Sequence, residues 1–592
     1  MKIIKKDRRA YIVLLFVTFF FCSCQEDEFL VQSDPNGVTG AVFAETIMEV
    51  DASLASVYEG LRGHRVADVG PGNLISDIVF PGRRGAVGQF FQHLDFINYN
   101  LTSSSTQIAA RWRQLYQVIF RANLTLGFVE KGRENGLDKS ELIIIEAQAK
   151  FLRALAHFYV YNTFNEGNII LRVQPNPTFN SLSVNVTPAD QVIKAIREDF
   201  TFAYNNLPLK NDSEYLAGRI TAGAAAMLLA NTYLYEGEFD KAIPFYEEIV
   251  NESAKFGFAL LTNETELLNM FSDEGEYNSE SILEIEYNLA NNLQQTQWEE
   301  DSFHNRLGVV VGPPILNSQA RLVPSNWLTV EYLEDHLKFT DADKTDPAVY
   351  NTVSLRASSM VAMVNDTRNP YYQSEVPAQH FSFDRLPAVF RKYTNWDNST
   401  GEINSKGSAW KSGKNVILNR LPEAYLNLAE CYLKGASPRV DEAIELINVI
   451  RRRWKIAEFK LDPGSAISEL DQVMNHIMYV EKPLELSLEG SHARSIDIRR
   501  WGIAKERFEA LSKEDGTSVR DRYKLAPYEY TTADGETATR ARSTLVPIAD
   551  GEDVEDSNNN KLDVEFTVAA QRYTNGYYPL PTIETDFNEN IK

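Results

Sequence analysis

Leu155-Ala156-His157-Phe158-Tyr159-Val160, Leu229-Ala230-Asn231-Thr232-Tyr233-Leu234 and Leu428-Ala429-Glu430-Cys431-Tyr432-Leu433 repeat one pattern, Leu-Ala-x-x-Tyr followed by Leu or Val. In each copy the apolar positions fall at helical spacing and mark one face for burial. Each is followed by a glycine, Gly167, Gly237 or Gly435, and a turn-like stretch. The second copy continues as GEFDKAIPFYEEIV, a helix with Ala242 and Tyr246 inward. The third continues as GASPRVDEAIELINVIRRR, with Ala443 and Ile447 inward. A small Ala where two helices cross closely, with a Tyr one turn on, is the packing of tetratricopeptide helix pairs. Such pairs normally recur every ~34 residues. Here the copies lie far apart, so long insertions are expected between them. The first copy takes its partner from upstream, over 107–129, with Trp112, Tyr116, Ile119 and Leu126 on one face.

The fold class that follows is mainly α. Discontinuous tetratricopeptide-like helix pairs form a scaffold, and long loop-rich insertions and a few short strands decorate it. A single body over 41–592 is expected, with the scaffold mainly at 107–165, 188–251, 418–455 and 470–510. The insertions, 60–106, 255–417 and 511–592, are rich in Gly, Pro, Asn, Asp and aromatic residues. Their apolar runs are short, as in SILEIEYNL at 281–289 and AVFRKY at 388–393. Loops longer than about 15 residues are usually functional, and a scaffold carrying large loops is a binding architecture.

Where the protein works is written at its start. Lys2, Lys5, Lys6, Arg8 and Arg9 precede an almost wholly apolar run from Tyr11 to Phe21. A basic region, a short apolar region and a small residue before the break describe a secretory signal, 1–23. The run is short for a membrane-spanning helix, which needs roughly 20 apolar residues. Cleavage before Cys24 leaves Ser23 at the last signal position, whereas cleavage before Cys22 would leave bulky Phe21. A mature N-terminal cysteine resembles a bacterial lipoprotein, with Cys24 as the lipid attachment point; the plainer alternative is an ordinary signal and a chance cysteine. Gln25-Glu26-Asp27-Glu28 resembles the acidic export tag of Bacteroidetes surface lipoproteins, or else is a solvated linker. A lipidated acidic tether over 24–40 would hold the body at the outer face of the outer membrane. Two or more acyl chains suffice, since each buried methylene contributes about 0.8 kcal/mol.

Composition narrows the function classes. The 592 residues are 44% hydrophobic, ample for a large core. Removing 1–23 takes the formal charge from −23 to −27, because that segment carries five bases and one acid. Such acidity argues against nucleic acid as a partner and against docking on anionic lipid by charge. With Cys22 cleaved away and Cys24 lipidated, Cys431 is left alone in an apolar helical pattern, as a buried small hydrophobe.

Motifs of catalysis are mostly missing. The histidines form no His-Glu-x-x-His pair, and no Gly-x-Ser-x-Gly elbow occurs. GSAWKSGKN at 407–415 fails as a phosphate loop: five residues separate Gly407 from Gly413, and Asn415 stands where a hydroxyl belongs. A hydrolytic carboxylate pair among 82 acidic residues is defined by spatial separation and is not visible in sequence. No cofactor is expected. DSNNNKLDVEF at 556–566 offers one weak calcium candidate, Asp556, Asn558 and Asn560. Lys561 replaces the required Gly and Thr567 the bidentate Glu, so a solvated turn is the favoured reading.

Three longer stretches carry a resemblance. RWRQLYQVIFRANLTL holds Trp112, Tyr116 and Asn123. EAQAKFLRALAHFYVYNTFNEG holds Glu146, Arg153, Ala154, Tyr159 and Gly167. EKPLELSLEGSHARSIDIRRWG holds Glu481, Glu485, Leu486, Glu489, Gly490, Arg494, Asp497, Arg500, Trp501 and Gly502. With the closing YYPLPTIETDFNENI, these make the chain resemble, nearly end to end, the SusD/RagB family of outer-membrane nutrient-binding lipoproteins of Bacteroidetes. Lys482 replaces the family's usual Arg, and about two extra residues separate Gly490 from Arg494. These are scaffold motifs and do not name a ligand.

The resemblance implies a binding protein without catalysis. It would capture oligosaccharides and pass them to a SusC-like TonB-dependent transporter. A peptide-capturing RagB-like member is the alternative, and a surface glycoside hydrolase the remoter one. It also implies that ligand is met by loops on the face away from the helix pairs. Sugar rings present C–H faces that stack on aromatic rings, while polar groups address hydroxyls. Phe90, Phe91 and His93 in one insertion suit that role. So do Trp298, Phe303 and His304 in another, and Tyr371 and Tyr372 after Pro370. Trp298 is the first choice, because no apolar periodicity around it would bury it. Residues 60–92 also carry Arg62, Arg65, Arg83, Arg84 and His64 against Asp68 and Asp77. Arg83 and Arg84 are candidates for carboxylate or sulfate groups on an acidic polysaccharide. Pairing with acids elsewhere, or facing the transporter, is the plainer alternative.

Overall fold

The computed structural model describes residues 44–82, 91–175, 183–212, 216–289, 303–313, 318–335, 352–381, 386–402, 411–552 and 562–591. The main helices are α1 Ile47–Leu61, α2 Thr106–Glu134, α3 Lys139–Thr163, α4 Ala189–Asn206, α5 Ala222–Tyr235, α6 Phe239–Asn251, α7 Leu421–Lys434 and α8 Val440–Arg453. Their starts are written in side chains. Thr46 and Glu49 close a capping box on α1, and Ser105, Asp138 and Thr221 cap α2, α3 and α5.

Each helix packs on the next in order from α1 to α8. The α6–α7 contact closes the stack although residues 252–420 intervene, so the scaffold is continuous in space and interrupted in sequence. Ala156, Ala230, Ala242, Ala429 and Ala443 are fully buried where helices approach, as the repeated pattern requires. A polar knot ties three of them: Asn427 Nδ2 on α7 donates to Asn231 Oδ1 on α5 and to the Tyr246 hydroxyl on α6, each at 3.1 Å. Cys431 is buried beside it, and burial pushes its thiol up.

The strands are short and paired two by two among the described residues. They are β1 Val79–Phe80 with β3 Val323–Pro324, β2 Ser281–Ile285 with β6 Val416–Arg420, β4 Val361–Met363 with β5 Ala388–Phe390, and β7 Tyr523–Thr531 with β8 Thr537–Pro547, all antiparallel. The runs read at 281–289 and 388–393 are β2 and β5. Two features differ from the loop-rich expectation. The 60–106 and 255–417 insertions share a second small core, where Phe80, Val323, Val389 and Trp396 meet. The last insertion contains the long β7–β8 hairpin, whose turn places Gly535 at φ +82°.

The stretch 481–502 lies inside. A π-helical turn, Ile477–Glu481, and a short helix, Lys482–Leu486, carry its carboxylates into the core. Glu489 accepts from Arg420 Nε at 2.7 Å and from Lys392 Nζ at 2.5 Å. Glu485 accepts from Arg420 at 3.2 Å, from Trp454 Nε1 at 2.7 Å and from Arg453. Glu481 accepts from Arg356 at 2.5 Å and Arg451 at 2.9 Å. Burial alone would raise these carboxyls; the arginines overcome it and hold all three below the usual range. Lys482, in place of the usual Arg, still pairs with Asp497 at 3.2 Å and Glu430 at 3.4 Å. The extra residues before Arg494 place His492 in a left-handed conformation over Gly72, where a Cβ would meet its ring at 2.7 Å.

Candidate ligand-binding site

The described ends of the two principal insertions meet at one corner. Gly82 N–H donates to Ala320 O at 3.0 Å, so the chain enters 83–90 beside Arg321. Asn288 N–H donates to Phe303 O at 2.7 Å, and Asn305 exchanges backbone bonds with Ser412 at 2.9 and 3.0 Å. These bonds close the 289–303 excursion at its base. The turn after α1 packs on the second of these bases. The Arg62 guanidinium lies 4.3 Å from the Phe303 ring centre, and the Tyr287 hydroxyl donates to Arg62 O at 3.0 Å.

This corner is basic. Arg65 and Arg321 lie within electrostatic reach of each other, as do Arg321 and Arg306. Burial, and then these like charges, push Arg306 and Arg321 each down to about 10, so both stay protonated at neutral pH. His64 keeps exposed surface, yet crowding by protein, and then the charges of Arg65 and Arg113, push it down to about 4. The neighbouring acids are engaged inward. Asp68 is 3.2 Å from Arg65 and 3.8 Å from buried Arg111. Asp77 is held by Arg494 at 2.7 Å and Arg507 at 3.0 Å.

A cleft of about 180 Å³ opens next to Arg62, between Tyr58, Glu59, Arg219 and Glu286. It is smaller than a typical ligand pocket of roughly 300–1,000 Å³. A second trough, about 620 Å³, runs along α4 and α5. There Arg197 is committed to Thr232 and Glu238 and stacks 4.1 Å from the Tyr233 ring.

The expected site residues divide sharply. Cys24, Arg83, Arg84, Phe90, Trp298, Asp556, Asn558 and Asn560 lie outside the described residues. Phe91 and His93 open a helix, Phe91–Ile97, rather than a loop; their side chains too lie outside what is described. Phe303 is half-buried at the corner, under Arg62. His304 is buried, so it offers a ligand no surface. Tyr371 and Tyr372 are core residues. They pack edge to face at 4.6 Å in the second core, and the Tyr372 hydroxyl donates to buried Glu402 at 2.7 Å. Their position after Pro370 looked loop-like; the second core formed by the insertions takes them in. Arg113, Arg306 and Arg321 were not singled out in sequence. Arg306 follows His304 closely and was within reach of that reading; Arg321 carries no local signal.

A model of the SusD family matches residues 279–592, and a second, described as starch-binding associating with outer membrane, matches 43–234. The chain belongs to the SusD family. A SusD-like protein of Formosa agariphila is 24% identical over 513 residues, covering 83% of this chain and 89% of that protein. Among solved structures, a SusD superfamily protein of Bacteroides vulgatus superposes with a TM-score of 0.68 at 19% identity, covering 92% of this chain and 98% of that one. A laminarin-binding SusD-like protein superposes with a TM-score of 0.61 at 23% identity, covering 79% and 94%. These likenesses fix the fold and agree with the burial of the 481–502 motif within the scaffold.

Proposed function

We propose that the protein is a cell-surface glycan-capturing lipoprotein that binds oligosaccharides without cleaving them and delivers them to a SusC-like TonB-dependent transporter. The observation that carries this reading is SusD family membership, with the relatives' glycan-binding descriptions behind it. Two further observations agree. The two insertions expected to meet ligand spring from a single corner. And Glu276, whose carboxyl is pushed up to about 8 mainly by burial, adjoins a cavity of only about 20 Å³. That is space for about one water molecule, not for a sugar ring. Lipid anchoring through Cys24 would hold the body beside the transporter, where effective concentration adds roughly 10² to 10⁴ in avidity.

Isothermal titration of the mature protein against glycan and peptide panels tests the reading. Saturable binding of a glycan, with no release of reducing ends on prolonged incubation, is expected. Peptide binding alone would favour the RagB-like alternative, and sustained release of reducing ends a hydrolase. Delivery is tested by co-purification of the lipidated protein with a TonB-dependent transporter from membranes.

A further inference from the structure

We propose that the cleft beside Arg62, walled by α1, residues 217–219 and the end of β2, holds one neutral sugar residue of a captured glycan. The inference rests on the glycan reading above and adds a subsite and the charge class of what fills it. The cleft measures about 180 Å³. That is room for several water molecules of roughly 30 Å³ each, enough for a single sugar ring and too little for a chain. Small residues keep it open. Ala55 on α1 and Ala217 both line it and both are exposed. A Cβ at Gly218 would meet Glu286 Oε2 at 2.7 Å, so glycine leaves that carboxylate its place.

The lining is mixed in charge, and this selects the class of ligand. Arg62 and Arg219 line the cleft together with Glu59 and Glu286. Glu284, also in its wall, is turned inward onto the Asn415 amide at 2.9 Å and the Tyr277 N–H at 3.1 Å. Two bases and two acids oppose a net charge of either sign as much as they attract it. A hydroxyl both donates and accepts, so the vicinal hydroxyls of a neutral sugar can use both kinds of group. Leu61 and Ile285 supply apolar surface for the ring C–H groups. Two of the polar groups have capacity left. Glu286 is exposed and makes no ion pair or hydrogen bond among the described residues. Arg219 donates through Nη2 to Asp51 at 2.9 Å, while its buried Nη1 has no hydrogen-bond partner among the described residues. Buried donors are nearly always satisfied, and a ligand hydroxyl at that wall would satisfy this one. The frame is rigid: the Tyr58 hydroxyl donates to Gln148 Oε1 at 2.6 Å and accepts from the Ile220 N–H at 3.0 Å. The cleft also adjoins an insertion expected to meet ligand. Glu286 is followed by Tyr287, whose hydroxyl donates to Arg62 O, and by Asn288, which closes the base of the 289–303 excursion on Phe303.

The test is isothermal titration of the mature protein with neutral α-glucan, β-glucan, xylan, mannan, galactan and fructan oligosaccharides, with oligogalacturonate and with glycylglycine. Glu286→Ala and Ala217→Trp are compared with the parent. Both positions are exposed, so thermal stability should hold. Glu286→Ala should weaken binding of a neutral oligosaccharide about tenfold or more, the scale of one hydrogen bond to a charged group. Ala217→Trp, which fills the cleft, should weaken it at least as much. Neutral-glycan affinity unchanged in either variant would overturn this inference and leave glycan capture standing. Binding of oligogalacturonate and of no neutral glycan would do the same. Glycylglycine binding that Ala217→Trp abolishes would assign the cleft to a zwitterion instead of a sugar. Binding of no glycan at all would overturn both readings.

Discussion

Arg420 is the residue on which the buried charge of this scaffold turns, and replacing it with methionine tests the account of the core. It is fully buried at the β6–α7 junction. It bonds Glu280 at 3.0 Å, Glu485 at 3.2 Å, Glu489 at 2.7 and 2.9 Å, and the Glu485 carbonyl at 2.8 Å. Methionine fills much of the volume but leaves three buried carboxylates short of a cation. Lys392 still reaches Glu489, and Arg453 still reaches Glu280 and Glu485, so compensation is partial. Breaking a buried pair from one side costs about 3–5 kcal/mol, a large share of a stability of roughly 5–15 kcal/mol. The pH dependence has a definite sign. Glu485 and Glu489 are depressed in the folded protein, so they stabilise it above their unfolded value of 4.5, and that stabilisation is lost as pH falls through the depressed folded values. In Arg420→Met one counter-charge is gone while Lys392 and Arg453 remain, so burial weighs more heavily and these carboxyls shift upward. The variant's deficit should then be greatest at neutral pH and shrink on acidification toward pH ~5, where the carboxyls can protonate. Differential scanning calorimetry of parent and variant at several pH values reads it directly. A deficit that is constant with pH, or absent, would refute the view that arginine charge rather than packing holds these glutamates.

Other outcomes follow from the same structure. Tyr372→Phe should lower stability by about 1–3 kcal/mol, because Glu402 loses a buried donor, while leaving glycan affinity unchanged; reduced affinity with full stability would restore Tyr372 as a ligand contact. Trp298→Ala should abolish glycan binding in titration with little change in Tm. Cys24→Ala, expressed in a Bacteroidetes host, should move the protein from the membrane fraction to the soluble one. Chelation with EDTA should leave both Tm and affinity unchanged, since the loop around Asp556, Asn558 and Asn560 departs from a calcium loop at Lys561 and Thr567; a clear drop in Tm would make calcium structural.

Legibility followed the range of the interactions. Helix faces such as Leu155–Tyr159 and Ala443–Ile447 were readable because burial at helical period leaves a local trace. α1 left such a trace too: Val50, Leu54, Val57 and Leu61 are buried behind a Thr46–Glu49 capping box. The β7–β8 turn carries Asp534-Gly535, a hairpin signal within loop-like composition. Long-range pairing has no such trace. Arg420 meets Glu489, Arg356 meets Glu481 and Arg494 meets Asp77 across 69, 125 and 417 residues. The resemblance of the 481–502 stretch marks Glu481, Glu489 and Arg494 as scaffold, and nothing in the sequence marks their partners Arg356, Arg420 and Asp77.

The candidate site was legible only in part for the same reason, and Tyr371 shows the mechanism. Its flanking residues, Asn369, Pro370 and Ser374, have the composition of a surface loop. Its burial is decided by Phe80, Val323 and Trp396, which come from elsewhere in the chain. Arg321 is the converse: a base with no local signal in the sequence, brought beside the 60–106 insertion by the Gly82–Ala320 hydrogen bond. Aromatic and charged side chains in long insertions therefore cannot be sorted into core and contact by local pattern. What sorts them is which insertion packs on which. In this protein two insertions close a small apolar core between them, and that core consumes Tyr371 and Tyr372. The abundance of aromatic rings in an insertion therefore does not mark a ligand surface: a ring is open to ligand only where that packing leaves it exposed.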